Sequence, residues 1–96
     1  MIDIRTAVNA AHNYLLSIQD IMGDIQDLRL EEVELAEDKK YWMITLGFDI
    51  PVKNKSAFAI VAGLTKQEEK IFKREYKLFK VNSETGEVEA MKIREV

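Results

Sequence analysis

The sequence lacks several residue types on which common kinds of site depend. Its 96 residues include no cysteine and only one histidine, His12. Disulfides, thiol chemistry and sulfur-ligated zinc are therefore excluded, and so is a metal site built from several histidines. Catalysis would have to rest on carboxylates, lysine, tyrosine or a bound cofactor, and we expect neither a catalytic residue set nor a metal ion or cofactor.

Long apolar runs and a strong charge of one sign are also missing. No stretch approaches the roughly 20 apolar residues of a membrane span, and polar residues interrupt the apolar ones from Met1 to Arg5, unlike a signal peptide. The formal net charge is −3, which gives no general attraction to nucleic acid or anionic lipid. We therefore expect a cytoplasmic protein with no membrane association and without nucleic acid as its partner.

The first 22 residues carry the clearest helical pattern. Apolar residues recur there at alternating spacings of four and three, which places them on one stripe of an α-helix. The stripe consists of Ile4, Val8, Ala11, Leu15, Ile18 and Met22. Asp3 is suited to cap the helix and Gly23 to end it. The pattern predicts one amphipathic helix over residues 4–22.

The remaining periodic segments predict strands. They lie at about 27–36, 41–50, 72–82 and 87–95. Alternate residues from Trp42 to Ile50 are apolar, which is the period of a strand with one buried face. The alternation of the first strand slips by one at Glu31 and Glu32, which predicts a β-bulge. Gly86, in the last hairpin, is expected at positive φ.

The expected fold is α+β, a single domain over residues 1–96. Its N-terminal helix packs on a four-stranded antiparallel meander sheet, with an insertion over residues 52–70 between the second and third strands. The insertion contains an apolar run that is too apolar to stay exposed to water, so it either folds back on the sheet or forms an interface. The candidate partner surface in this run is Phe58, Ile60, Val61 and Leu64.

Three segments are similar to parts of a known family. They are the helix from Ala7 to Ile18, the strand from Tyr41 to Leu46 and, most of all, the hairpin from Tyr76 to Val88 with its Thr-Gly-Glu-Val end. Together they resemble the small PepSY-like and cystatin-like domains. The resemblance implies a helix on a four-stranded sheet and a role in protease inhibition, regulation or binding, and it carries over no catalytic residues.

Charge is concentrated in one segment. Residues 20–38 contain eight acids and one arginine, a net charge of −7. One interpretation is a cation site, but the spacing matches no calcium-binding loop. The interpretation that we favour is a solvated edge strand whose charges resist sheet-to-sheet aggregation. Residues 66–80 are mildly basic and hold three aromatics, for which core packing is favoured over base stacking.

The function expected from these features is a non-enzymatic binding or regulatory module. We expect its partner to be a protein, which is either a different protein or a second copy of this chain. One alternative is an immunity- or antitoxin-type inhibitor, suggested by the small size and the acidic segment. The other is a small-ligand-binding enzyme with a pocket between helix and sheet, near Trp42.

Overall fold

The computed structural model describes residues 1–51 and 72–94. It contains two helices and four strands. They are α1 (Ile4–Ser17), α2 (Gln19–Met22), β1 (Gln26–Leu35), β2 (Tyr41–Pro51), β3 (Phe72–Asn82) and β4 (Val88–Ile93). The strands form one antiparallel sheet in the order β1-β2-β3-β4, with α1 packed on one face. The expected α+β fold with a meander sheet is confirmed.

The N-terminal helix is shorter than the apolar stripe predicts. Its start is as expected, because the Asp3 carboxylate accepts a hydrogen bond of 2.8 Å from the Thr6 backbone N–H. Hydrogen bonding to the Thr6 side chain, and then to its backbone, lowers the pKa of Asp3. One continuous helix over residues 4–22 is wrong, since Ile18 interrupts it at φ −114° and ψ 10°. The Ser17 hydroxyl donates to the Tyr14 carbonyl, which Ile18 would use in a regular helix, and the Ile18 N–H turns to the Leu15 carbonyl instead.

The hydrophobic core lies between α1 and the centre of the sheet. Ala7, Ala11 and Leu15 face it from the helix and are fully buried. The sheet contributes Ile44, Leu46, Phe48, Phe79 and Val81. The inward orientation predicted for the second strand is confirmed at positions 44, 46 and 48, which are all buried, whereas Thr45 and Gly47 on the opposite face are buried as well.

The first strand is irregular at two places. Leu30 pairs with Leu46 and Glu32 with Thr45, which leaves Glu31 as an extra residue and confirms the predicted bulge. A second register shift, which the alternation did not indicate, lies between Gln26 and Arg29, where Asp27 adopts φ 51°. Aspartate tolerates this left-handed conformation better than most residues.

The last hairpin has the expected turn and one β-bulge. Gly86 has φ 77°, as predicted, and the Asn82 side chain accepts hydrogen bonds from the backbone N–H groups of Glu84 and Thr85. Lys80 pairs with Ala90 and Val81 with Val88, so Glu89 is the extra residue. β3 pairs with β2 without interruption, and Leu78 lies on the face opposite α1.

The helix does not cover the sheet evenly. Its main contacts are with β2, β3 and β4. On β1, Leu30 points to the same side of the sheet as α1 and remains 49% exposed. The helix therefore covers the inner side of the first strand less than those of β2 and β3.

The core assignment is tested by two neighbouring leucines of α1. Leu15 is fully buried and Leu16 is 37% exposed. We expect Leu15→Ala to lower the free energy of unfolding by about 2–5 kcal/mol, because it leaves a cavity in a close-packed core. Leu16→Ala should cost less than about 1 kcal/mol, because its side chain is partly in water already. Urea denaturation of both variants measures the difference, and equal losses would contradict the assignment.

Candidate functional site

The outer face of the sheet, defined here as the face opposite α1, is polar. Alternate residues of β2 and β3 point to it, paired across the two strands. They are Tyr41, Met43, Thr45, Gly47 and Asp49 on β2, and Arg74, Tyr76, Leu78, Lys80 and Asn82 on β3. Half of these ten residues are charged or aromatic, and the contacts on this face decide whether it is available to a partner.

Arg74 is the centre of an ion-pair cluster that joins three strands. Its Nη1 atom lies 2.8 Å from the Asp27 carbonyl oxygen, 3.2 Å from the Asp27 carboxylate and 3.4 Å from the Asp49 carboxylate. Its Nη2 atom lies 3.2 Å from Glu31 Oε1. One guanidinium thus connects β1, β2 and β3, and the bulged residue Glu31 is one of its partners.

The cluster favours the charged form of the arginine. Desolvation opposes the charge, but hydrogen bonds to Asp49, Glu31 and Tyr76 outweigh it, so the pKa of Arg74 lies above its usual value. The guanidinium carbon also lies 6.0 Å from the centroid of the Tyr76 ring. Three carboxylates around one guanidinium make this a structural anchor whose hydrogen-bonding groups are already engaged.

Gly47 leaves the space that this cluster occupies. A Cβ atom at this position would lie 2.9 Å from Glu31 Cγ and 3.1 Å from Arg74 Nη2, which is closer than side chains normally approach. The residue pattern alone did not predict the cluster. A glycine inside an otherwise regular strand, facing a predicted bulge, is the signal that indicates a close approach from the neighbouring strand.

Further polar contacts lie on the outer face. Arg94 Nη2 lies 2.9 Å from Glu32 Oε1, so a residue just beyond β4 reaches a carboxylate on β1. The Lys80 ammonium lies 4.1 Å from the centroid of the Tyr41 ring. The Tyr41 hydroxyl lies 3.3 Å from a Glu89 carboxylate oxygen, whose charge raises the pKa of that tyrosine. A partner docking on this face would have to displace these internal contacts.

An apolar groove lies on the other side of the sheet, between α1 and β1. We call it the α1–β1 groove. Its volume is about 260 Å³, and its lining consists of Ile4, Arg5, Val8, Asn9 and Leu30. Ile4 and Leu30 are each 49% exposed, and they meet here from the helix and from the strand. In this groove, apolar side chains of two elements face water together.

The groove offers binding chemistry more than acid–base chemistry. Arg5 is its one ionisable lining residue, and a guanidinium stays protonated in proteins, so it does not act as a general base. The Asn9 amide supplies hydrogen-bond donors and an acceptor. His12 lies farther along α1 and is half-buried. The groove therefore suits a partner that inserts an apolar side chain and forms polar contacts at the rim with the residues next to it.

A second depression lies where β4 ends and β3 continues. It has a volume of about 500 Å³ and is lined by residues 73–77 together with Ile93 and Arg94. The Arg94 N–H donates to the Tyr76 carbonyl at 3.0 Å, the last ladder bond on this edge within the described residues. The depression borders the residues that follow Arg94, which lie outside the described part, so we assign no site to it.

The candidate partner surface predicted from the sequence lies in a segment that the structure does not describe. Phe58, Ile60, Val61 and Leu64 lie outside the described residues, and their role stays a prediction. The acidic segment, by contrast, is described in full. Across residues 1–51 and 72–94, no group of three or more histidine, aspartate or glutamate side chains is arranged to hold a metal ion. Asp27 and Glu31 bind Arg74 instead.

None of the helices in the described part of the chain has the length and apolar character needed to cross a membrane. No protein-family model, curated protein or solved structure matches the chain. What the protein does is therefore argued from its own geometry.

The role of Arg74 as an anchor is tested by removing its charge. We expect Arg74→Met to lower the free energy of unfolding by about 1–3 kcal/mol, because it leaves three partly exposed carboxylates without their counter-charge. Lys73→Met, an exposed neighbour on the same strand, should change stability by less than about 0.5 kcal/mol. Denaturation in low salt and in about 0.5 M NaCl should show a smaller Arg74→Met deficit in salt, where repulsion among the carboxylates is screened. A deficit that grows with salt would contradict this role.

The space at Gly47 is tested by a double-mutant cycle. We expect Gly47→Ala to cost about 1–3 kcal/mol of stability, because the added methyl group collides with the Glu31 side chain. In a Glu31→Ala background the same substitution should cost less, because the colliding Cγ atom is gone. Thermal or urea denaturation of the parent chain, the two single variants and the double variant gives the coupling free energy between positions 31 and 47. Equal costs in both backgrounds would mean that the glycine is needed for another reason.

Proposed function

We propose that this chain is a non-enzymatic binding module that contacts a protein partner through the α1–β1 groove. The observation that carries the proposal is the pair of half-exposed side chains Ile4 and Leu30, which face each other across the groove. Burying apolar surface is the main favourable term in protein association, at about 25 cal/mol for each Å² removed from water. The groove offers such surface in concave form.

The contrast between the two sides of the sheet supports this choice. On the outer face, the carboxylates of Asp27, Glu31 and Asp49 are engaged by Arg74, and Glu32 is engaged by Arg94. A partner there would have to match contacts that the chain already makes with itself. In the groove a partner displaces water from apolar side chains and breaks no internal hydrogen bond.

The enzymatic alternative finds less support. The space beneath α1 is filled by Leu15, Phe48 and Phe79, which are fully buried. The Trp42 indole N–H donates to the Ile2 carbonyl at 3.2 Å, so this ring is part of the N-terminal packing. The groove lining supplies no carboxylate. Acid–base catalysis needs a positioned proton donor or acceptor near a pocket, and the groove does not supply that pair.

A second candidate function is favoured by the placement of the acidic residues. An immunity- or antitoxin-type inhibitor binds a basic protein, and the −7 segment of residues 20–38 forms α2, β1 and the turn that follows. Kinship to PepSY-like or cystatin-like domains agrees with either binding function. That kinship, self-association and a cytoplasmic location stay predictions.

The proposal is tested by site-specific crosslinking in the host. Two variants of this chain each carry one photo-crosslinking amino acid. In the first it replaces Leu30, in the groove, and in the second it replaces Lys92, which is exposed on the outer face. We expect a defined heavier adduct from position 30 and much less from position 92. Adding Ile4→Asp should remove the position-30 adduct, because it puts a charge on the opposite wall of the groove.

Two controls make this result decisive. Ile4 is half-exposed in the first turn of α1, where an aspartate is favourable with the helix dipole, so Ile4→Asp should keep the fold, as circular dichroism will check. Adducts of equal strength from both positions, or a position-30 adduct that persists with Ile4→Asp, would refute the groove as the binding surface.

A further inference from the structure

We infer that the partner segment bound in the α1–β1 groove is acidic. It inserts an apolar side chain between Ile4 and Leu30 and places an aspartate or glutamate side chain on Arg5. This inference rests on the proposed function and adds the chemistry of the partner. Three features carry it: the layout of the groove lining, the charge of that lining, and the direction in which the nearest acidic residues of β1 point.

The helix wall of the groove has an apolar row and a polar row. Ile4 and Val8 form the apolar row, and Arg5 and Asn9 form the polar row. The two members of each row are four residues apart, a spacing that makes them neighbours on one face of a helix. Val8 packs against the core, whereas both residues of the polar row are exposed, so the polar row forms the outer rim. A segment that inserts an apolar side chain against Ile4 and Leu30 therefore runs beside the polar row.

Arg5 gives the groove lining a positive charge. It is the one charged residue that lines the groove within the described part of the chain. Across residues 1–51 and 72–94 it takes part in no ion pair of 4.0 Å or less. A guanidinium can hold a carboxylate through two parallel hydrogen bonds, which adds orientation as well as energy. The rim is therefore suited to a carboxylate that lies next to an inserted apolar side chain.

The acidic side chains that follow Leu30 on β1 do not oppose an acidic partner. Both point to the outer face of the sheet, away from the groove. Glu31 Oε1 lies 3.2 Å from Arg74 Nη2, and Glu32 Oε1 lies 2.9 Å from Arg94 Nη2. Because each is paired with an arginine on the far side of the sheet, neither meets a carboxylate bound in the groove.

A second copy of this chain does not supply the complementary charge. A two-fold dimer brings the same surface of both copies together. An interface built from two α1–β1 grooves would contain two Arg5 guanidinium groups, and the described lining supplies no carboxylate to meet them. Like charges brought together across an interface are destabilising, so the groove selects a different protein of opposite charge.

The test is a selection from a random peptide library displayed on phage, with the intact chain as bait. The peptides are joined to the coat protein by their C-terminal ends, so a carboxylate in them belongs to an aspartate or glutamate side chain. We expect the selected peptides to combine a large apolar residue with an excess of these acids. Binding of a selected peptide should weaken at least about tenfold with Leu30→Asp, which places a charge at the apolar contact. Circular dichroism checks that the variant keeps its fold.

The charge contribution is isolated with matched variants of exposed residues. Arg5→Gln removes the cation but keeps a polar side chain, and it should weaken binding by about 3- to 10-fold. Lys92→Gln removes the same charge from the outer face and should leave the affinity within about twofold. Changing the acid of the peptide to its amide should weaken binding to the parent chain but change binding to Arg5→Gln by less than about twofold, because the two groups act as a pair.

The outcomes separate the acidic partner from the groove itself. Peptides that need Leu30 but show no excess of acids, or whose acid-to-amide change costs Arg5→Gln as much as the parent chain, would overturn the acidic partner and keep the groove. A dimer of the chain, seen by sedimentation and dissociated by Leu30→Asp, would put a second copy in the groove and also overturn the acidic partner. Peptides that bind Leu30→Asp as tightly as the parent chain, or a library that yields none dependent on Leu30, would overturn both.

Discussion

The packing of α1 on the middle of the sheet is the contact on which the rest of the structure depends. Ala7 and Ala11 have no bulky side chain, so the helix approaches the sheet closely and buries Leu15 against it. The main contacts of the helix fall on β2, β3 and β4. A helix centred there leaves the inner side of β1 beyond its edge, and the α1–β1 groove is the direct consequence.

On the outer face, opposite the groove, ion pairs hold β1 to the sheet. Its ladder to β2 shifts register twice, and Arg74 reaches from β3 to bind Asp27 and Glu31 on the outer face. Gly47 leaves the room for that reach. Because polar contacts on the outer face secure β1, its inner apolar side chains need not all be buried by the helix, and they are available to bind a partner.

Much of the fold follows from patterns in the sequence, and the groove does not. The alternation from Trp42 to Ile50 predicted the buried strand, and the slip at Glu31 predicted the bulge, because both are periodic local signals. The break at Ile18 depends on one hydroxyl competing for a carbonyl, which apolar periodicity does not report. The groove depends on where the helix lies across the sheet, and that is set by packing between distant residues.

The central claim is that Leu30 and Ile4 face water together in the free chain. Paramagnetic relaxation by a soluble gadolinium chelate, measured on methyl-labelled leucine and isoleucine, tests it directly, because the effect falls steeply with the distance of a methyl group from solvent. The account predicts strong line broadening for Leu30 and Ile4 and little for the buried Leu15. Leu30 methyl signals as protected as those of Leu15 would show that the groove is closed in the free protein and would contradict the account.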